Sequence, residues 1–156
     1  MGVPQRIKRV FFIARRNDLN FPKLVLNFRE KPIHFGEVRS AHGIPLKDCM
    51  MASLIKKRKK GDTCFSDISE RTRGKRSMFT DKIVEDHVIA PTNTSGGVSV
   101  RFVDGEKYSD ADYIATQTFP QDYDFGKESV QYVCGMSVPP VMMANIAAAV
   151  YEQWLK

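Results

Sequence analysis

The sequence is poor in the residues that build small metal or disulfide frameworks. Its three cysteines, Cys49, Cys64 and Cys134, stand far apart with no Cys-x-x-Cys pair, and His34, His42 and His87 are not spaced with them as zinc ligands. This excludes a disulfide scaffold and a zinc knuckle, and fits a reduced, cytoplasmic protein without a structural metal. A cationic leader followed by an apolar run is also missing. The longest apolar tail is interrupted by Asn145, Glu152 and Gln153, so neither secretion nor membrane spanning is expected. There is no internal repeat and no low-complexity segment beyond one run of five cations. With 156 residues, 42% of them hydrophobic, the chain can still bury one ordinary core.

What it has is charge, unevenly placed. Residues 1–80 hold 19 lysines and arginines against 7 acidic residues, whereas residues 81–156 hold 5 against 11. A basic half joined to an acidic half points to a polyanionic partner for the first, and nucleic acid is the commonest such partner. The cations concentrate in Lys56, Lys57, Arg58, Lys59 and Lys60, and again in Arg71, Arg73, Lys75 and Arg76. Side chains of this kind grip phosphates and position a protein on a duplex without reading its sequence. The bland reading of each cluster is a solvated surface.

Hydrophobic patterning predicts the elements. Residues 8–14 contain Val10, Phe11, Phe12 and Ile13, apolar on both faces, as in a strand inside a covered sheet. Residues 24–28 alternate as a weaker strand, and a short element is expected at 33–38. A helix around Met50, Met51, Leu54 and Ile55 is expected to run through the cations to a stop at Gly61. Residues 67–79 and 91–97 read as loops, and 98–103 as a strand. Ser109 and Asp112 have the spacing of a capping box for a helix ending at Pro120. Ser137 is expected to cap a last helix, with Pro139 and Pro140 in its first turn and Met143, Ile146, Ala147, Val150 and Trp154 on one face.

Three segments share a resemblance. Gly2-Val3-Pro4-Gln5 with Arg9, then Gln117, Phe119, Pro120 and Tyr123, then Gly135, Ser137, Val138, Pro139 and Pro140, resemble in order three motifs of the C-terminal part of the DNA cytosine-5 methyltransferases. Ile7 replaces the first arginine of the Gln-x-Arg-x-Arg motif, and Met136 replaces the asparagine of Gly-Asn-Ser-Val-Pro-Pro. The resemblance implies an α+β chain. A small target recognition domain (17–126) would be flanked by a strand segment (1–16) and a cofactor-side segment with its helix (127–156), both belonging to an incomplete Rossmann-like α/β domain. It also implies roles: Arg9 beside the extruded cytosine with Gln5 supporting it, and Gly135, Met136, Ser137 and Val138 toward S-adenosylmethionine. Thr92, Asn93, Thr94 and Ser95 would form a loop on double-stranded DNA, together with the two basic clusters.

The family's reaction adds a cysteine thiolate to C6 of a flipped cytosine and then methylates C5 from the cofactor. Its nucleophile stands in Pro-Cys, its acid in Glu-Asn-Val, and its main cofactor loop is glycine-rich. None of these occurs in the chain: Cys49, Cys64 and Cys134 follow Asp48, Thr63 and Val133. The resemblance therefore implies a methyltransferase portion that is inactive alone and needs a complementary chain supplying those motifs. The residue before Gly-Val-Pro-Gln is often methionine in the family, so the resemblance implies a start at an internal position of a longer enzyme, as in a natural two-chain methyltransferase, the product of an interrupted gene or a mis-annotated start. The alternative is a non-catalytic DNA-binding module or remnant. Two bare apolar surfaces are expected, at residues 10–13 and on the last helix, because their covering elements lie upstream in the family.

Overall fold

The structure, a computed structural model, describes residues 1–78 and 81–156. Its helices and short parallel strands make an α+β chain. The elements are β1 (Gln5–Arg6), α1 (Phe35–Val38), α2 (Met50–Ile55), α3 (Phe65–Arg73), β2 (Lys82–Val84), β3 (Ala90–Pro91), β4 (Ser99–Arg101), α4 (Asp110–Gln117), α5 (Val130–Met136) and α6 (Pro140–Val150), which runs into a π-helical turn (Tyr151–Leu155). β1 pairs with β3 and β2 with β4, both in parallel.

Period-2 geometry puts neighbouring residues of β2 on opposite faces. Ile83 joins Leu54, Ile55, Phe65, Ile68 and Val100 on one side. Val84 joins Phe35, Ala90, Tyr108, Tyr113 and Cys134 on the other. In this second cluster Phe35 stacks on Tyr108 with ring centres 4.7 Å apart, and Tyr113 meets Tyr108 edge-on at 5.4 Å. Phe119 and Phe125 pack against the same cluster and, with Tyr123, form a triangle of aromatic contacts. The Gln-x-Phe-Pro-x-x-Tyr segment is thereby pinned to the core by its rings.

Several expectations are corrected. Residues 8–14 and 24–28 form no strand, because among the described residues no neighbouring strand lies beside them to share their backbone hydrogen bonds. The bare surface expected at residues 10–13 is present, with Val10 80% and Phe12 95% exposed, but the face expected on the last helix is bare only in part: Met143 is 46% exposed, whereas Ile146 is buried and Trp154 stacks on Phe21. The predicted loop from residue 67 begins inside a helix, α3; the end of that loop, at Phe79, lies outside the described residues. Capping explains α3. Burial works against the Asp67 carboxylate, but donors from the backbone and hydroxyl of Thr63 and from Cys64 outweigh it and hold its pKa below the usual carboxylate range. Phe65 and Ile68 are fully buried, and Gly74 ends the helix at φ 72°, where a side chain would be strained.

The helix around Met50 stops at Ile55, and Lys56 to Lys60 follow as turns rather than as a last helical turn. Ser137 does not cap the last helix; that place belongs to Pro139, with Pro140 at the first helical position. Ser137 instead ends α5, a helix that the sequence reading did not separate. The buried face of α6 is Met142 and Ile146, not Met143. The stretch from Val130 to Leu155 is long and apolar enough to cross a membrane by length and composition, but extended backbone at Ser137 divides it into two helices. The Ser109–Asp112 capping box forms as expected, each residue bonding the other's backbone N–H.

Burial predicts an alkaline instability. Burial first, and then the charge of Asp110, pushes the Cys134 thiol from 9.0 up to about 12, and burial foremost raises the Tyr113 phenol from 10.0 to about 12. In the folded chain both groups keep their protons while the unfolded chain loses them. Their contribution is therefore complete below the ordinary thiol value of 9.0 and is lost progressively as pH rises toward about 12. Urea midpoints measured across that window should fall. A thiol reagent should modify exposed Cys49 in the native protein and reach Cys134 only on unfolding.

Candidate functional site

The three segments singled out in the sequence meet in one buried hydrogen-bond network. Its hub is Gln117, at the end of α4 and fully buried. Its Oε1 accepts from Gln5 Nε2 at 2.5 Å and from Asn93 Nδ2 at 3.4 Å. Its Nε2 donates to the carbonyl of Ser137 at 3.1 Å and to Ser137 Oγ at 3.0 Å. Gln5 also donates to the Thr116 carbonyl at 3.1 Å and accepts from the backbone N–H of Asn93 at 2.8 Å. Arg9 reaches the same Ser137 carbonyl at 3.3 Å while remaining exposed. Residues more than a hundred positions apart are thus fixed against one another by uncharged amide and hydroxyl groups, with the Arg9 guanidinium at the rim.

Local structure explains why these positions converge. The β1–β3 pairing sets Gln5 opposite Ala90 and delivers Asn93 three residues later beside the Gln5 amide. Thr118, at φ 64°, turns the chain sharply out of α4, and its Oγ1 accepts from Val141 N–H at 3.2 Å, binding the start of α6. A β-branched residue is strained in that conformation, at a cost of roughly 1–3 kcal/mol, and surrounding contacts must hold it. Gly135 lies against the Thr94–Ser95 peptide: a Cβ there would come within 2.3 Å of Ser95 N, so only glycine admits this approach. Gln131, on the same helix, donates to the carbonyls of Thr94 and Gly97 and closes the loop onto α5.

This packing decides what each candidate can offer. Asn93 is only 3% exposed and its amide is spent inside, so it does not face DNA; its Oδ1 has no partner among the described residues. Thr92 Oγ1 bonds the Arg6 carbonyl and Thr94 Oγ1 accepts from Gly97 N–H at 3.0 Å, leaving Ser95 exposed at the tip. Gly135 and Ser137 face inward, and both the hydroxyl and the carbonyl of Ser137 are engaged. Of the four residues expected near S-adenosylmethionine only Met136 presents an exposed side chain, at 64%. Cys134 is fully buried with a raised pKa and is no nucleophile at neutral pH.

The basic clusters separate into two kinds. Arg58 donates to the carbonyls of Phe102 (2.5 Å), Ile55 (3.0 Å) and Val103 (3.2 Å) and lies over the Phe102 ring. Arg71 pairs with Asp62 at 2.5 Å and bonds the Lys57 carbonyl at 3.0 Å; Arg76 pairs with Asp67 and Glu70 on α3. These three act within the fold. Lys56, Lys57, Lys59, Lys60, Arg73 and Lys75 are exposed, and none forms an ion pair among the described residues. The Arg71–Lys57 contact joins α3 to the lysine run, so two clusters separated in sequence form one cationic end.

A second network, which the sequence reading missed, holds α4 in place. Arg101 is 1% and Asp112 0% exposed. The guanidinium contacts Asp104 at 2.7 Å, Asp112 at 3.6 Å, the Ala41 carbonyl at 3.1 Å and Ser40 Oγ at 3.2 Å. Asp112 also accepts from Ser40 N–H at 2.7 Å and from the N–H and hydroxyl of Ser109. No periodic or motif signal pairs β4 with α4. The only hint is an arginine at the centre of an apolar strand.

No family model, curated protein or solved structure matches the chain.

The Gln117 hub yields a test of its own. Gln5→Ala strips the buried Asn93 N–H of its acceptor, and Gln117→Ala leaves the Ser137 hydroxyl and the Gln5 amide with one bond fewer. Each should destabilise by about 2–3 kcal/mol. Because the two side chains share a bond, the double variant should cost about 1 kcal/mol less than the sum. Strict additivity in urea unfolding would mean that the two amides do not act together.

Proposed function

We propose that this chain is the DNA-recognising, C-terminal portion of a DNA cytosine-5 methyltransferase. It would act with a complementary chain that supplies the nucleophile, the acid and most of the S-adenosylmethionine site. In this reading residues 17–126 are the target recognition domain, and the flanking segments dock onto the missing Rossmann-like domain. The observation that carries the reading is the convergence of Gln5, Gln117 and Ser137, one from each resembling segment, on a single buried network that also orients exposed Arg9. Unrelated matches scattered over the chain have no reason to share one hydrogen-bonded hub.

The chain's own contribution is positioning. Arg9 would hold the extruded base, Gln5 would fix the segment that carries Arg9, and the six exposed cations would hold the duplex through its phosphates. The test is co-expression with a chain carrying the Pro-Cys, Glu-Asn-Val and glycine-rich motifs, followed by radiolabelled methyl transfer to cytosine C5 in duplex DNA. Activity from the pair and none from either chain is expected. A complementary chain that binds without restoring methylation would reduce this protein to a remnant.

The cationic end formed by Lys56, Lys57, Lys59, Lys60, Arg73 and Lys75 favours a second reading, a non-catalytic DNA-binding module. That module would bind duplex DNA alone and selectively, with affinity falling steeply as salt rises. A dependent subunit would bind weakly without its partner. Titrations at two salt concentrations separate the two.

A further inference from the structure

Residues 7–16 belong to no helix or strand, and among the described residues no main-chain hydrogen bond pairs the backbone from 8 to 15 with any other backbone. The segment is nonetheless ordered by its side chains in an alternating way. Ile7, Lys8, Arg9 and Phe11 line a cleft of about 410 Å³ together with Leu26, Phe28, Met142 and Ile146, and from residue 10 onward the exposure alternates. Val10 and Phe12 are 80% and 95% exposed, whereas Phe11 is half-buried and Ile13 is 37% exposed. Alternation of this kind is that of an extended chain with one face covered. An edge with unpaired backbone and two bare large apolar side chains is what an added strand pairs with.

We infer that residues 8–15 are a docking strand for a second polypeptide, whose own strand is apolar at its centre and carries carboxylates at both ends. The charges select this occupant. Lys8 and Arg9 stand at one end and Arg15 and Arg16 at the other; Asp18, the nearest acid in sequence, pairs with Arg16 at 2.5 Å, and Lys8, Arg9 and Arg15 have no carboxylate partner among the described residues. Two copies of this chain paired antiparallel about Phe12 would set Lys8 against Arg16 and Arg9 against Arg15. Parallel pairing would set each cation beside its own copy, and like charges opposite one another destabilise a ladder. A nucleic acid would satisfy the cations but leave Val10 and Phe12 in water. The inference stands on the segment alone and survives failure of the methyltransferase reading; under that reading the complementary chain bears the strand, Arg9 is kept for the base, and Lys8 and Arg15 meet the strand's carboxylates.

The experiment uses the full chain and a fluorescent peptide with a Val-Thr-Val-Thr-Val centre and a glutamate pair at each end. Its control is the same peptide with lysine pairs. The acidic peptide should bind at least about tenfold more tightly than the basic one, since every end pair changes from attraction to repulsion. Phe12→Lys, at a position so exposed that unfolding should be unchanged, should lose at least about tenfold, and hydrogen exchange at residues 10–13 should slow only in the wild-type complex. Equal binding of the two peptides, or no effect of Phe12→Lys, would overturn the inference. So would displacement of the acidic peptide by duplex DNA, or a wild-type dimer in sedimentation that Phe12→Lys abolishes.

Discussion

Asp112→Ala is expected to cost the fold about 3–5 kcal/mol, a large part of the stability of a domain this size. The substitution removes the acceptor for Ser40 N–H and for both donors of Ser109, and leaves Arg101 buried with Asp104 as its remaining carboxylate. The penalty comes from the groups left behind. Asp112→Asn keeps an oxygen for Ser40 or Ser109 while removing the charge opposite Arg101, so it should fall between wild type and alanine. Urea unfolding of the three proteins tests this. If the alanine variant lost less than about 1 kcal/mol, the Arg101–Asp112 network would not be holding α4.

Arg9→Ala should behave in the opposite manner, sparing stability and removing function. Arg9 is exposed and its guanidinium makes two bonds, to the Lys8 carbonyl at 3.2 Å and the Ser137 carbonyl at 3.3 Å, so unfolding should change by no more than about 0.5 kcal/mol. In a co-expressed, active pair methyl transfer should fall by about a hundredfold or more, the scale seen when a donor aimed at the reacting group is removed. Arg9→Lys keeps the charge but loses the planar fork, and should recover only part of the rate. Full activity in Arg9→Ala would remove Arg9 from any role at the base and leave its match to the family motif without function.

The two networks differ in how far the sequence foretold them. Gln5, Ser137 and the Phe-Pro segment were visible because a resemblance marks them, and the Ser109–Asp112 box because capping is local chemistry with a fixed spacing. Arg101 was not visible, since its partners lie on other elements and a buried arginine looks in sequence like any surface cation. The same blindness applied to Arg58, Arg71 and Asn93, which were read as facing DNA. Each is engaged within the fold instead: Arg58 by the carbonyls of Ile55, Phe102 and Val103, Arg71 by Asp62 and the Lys57 carbonyl, and Asn93 by Thr116 and Gln117. The α3 helix was missed because its buried face is narrow, essentially Phe65 and Ile68 with small Ser66 and Ser69 between them.

Residues 8–16 show the limit from the other side. Their pattern of apolar core and cationic ends specifies a strand, yet a strand needs a neighbour, and none stands beside it among the described residues. By itself the sequence determined what is local or periodic: the charge division, the capped start of α4, the apolar runs, and the missing Pro-Cys and glycine-rich motifs. Only the tertiary structure decided which cations remain exposed, that the three resembling segments share the Gln117 hub, and that Val10 and Phe12 stay bare. Those outcomes depend on contacts between residues up to 128 positions apart, which no window along the chain contains.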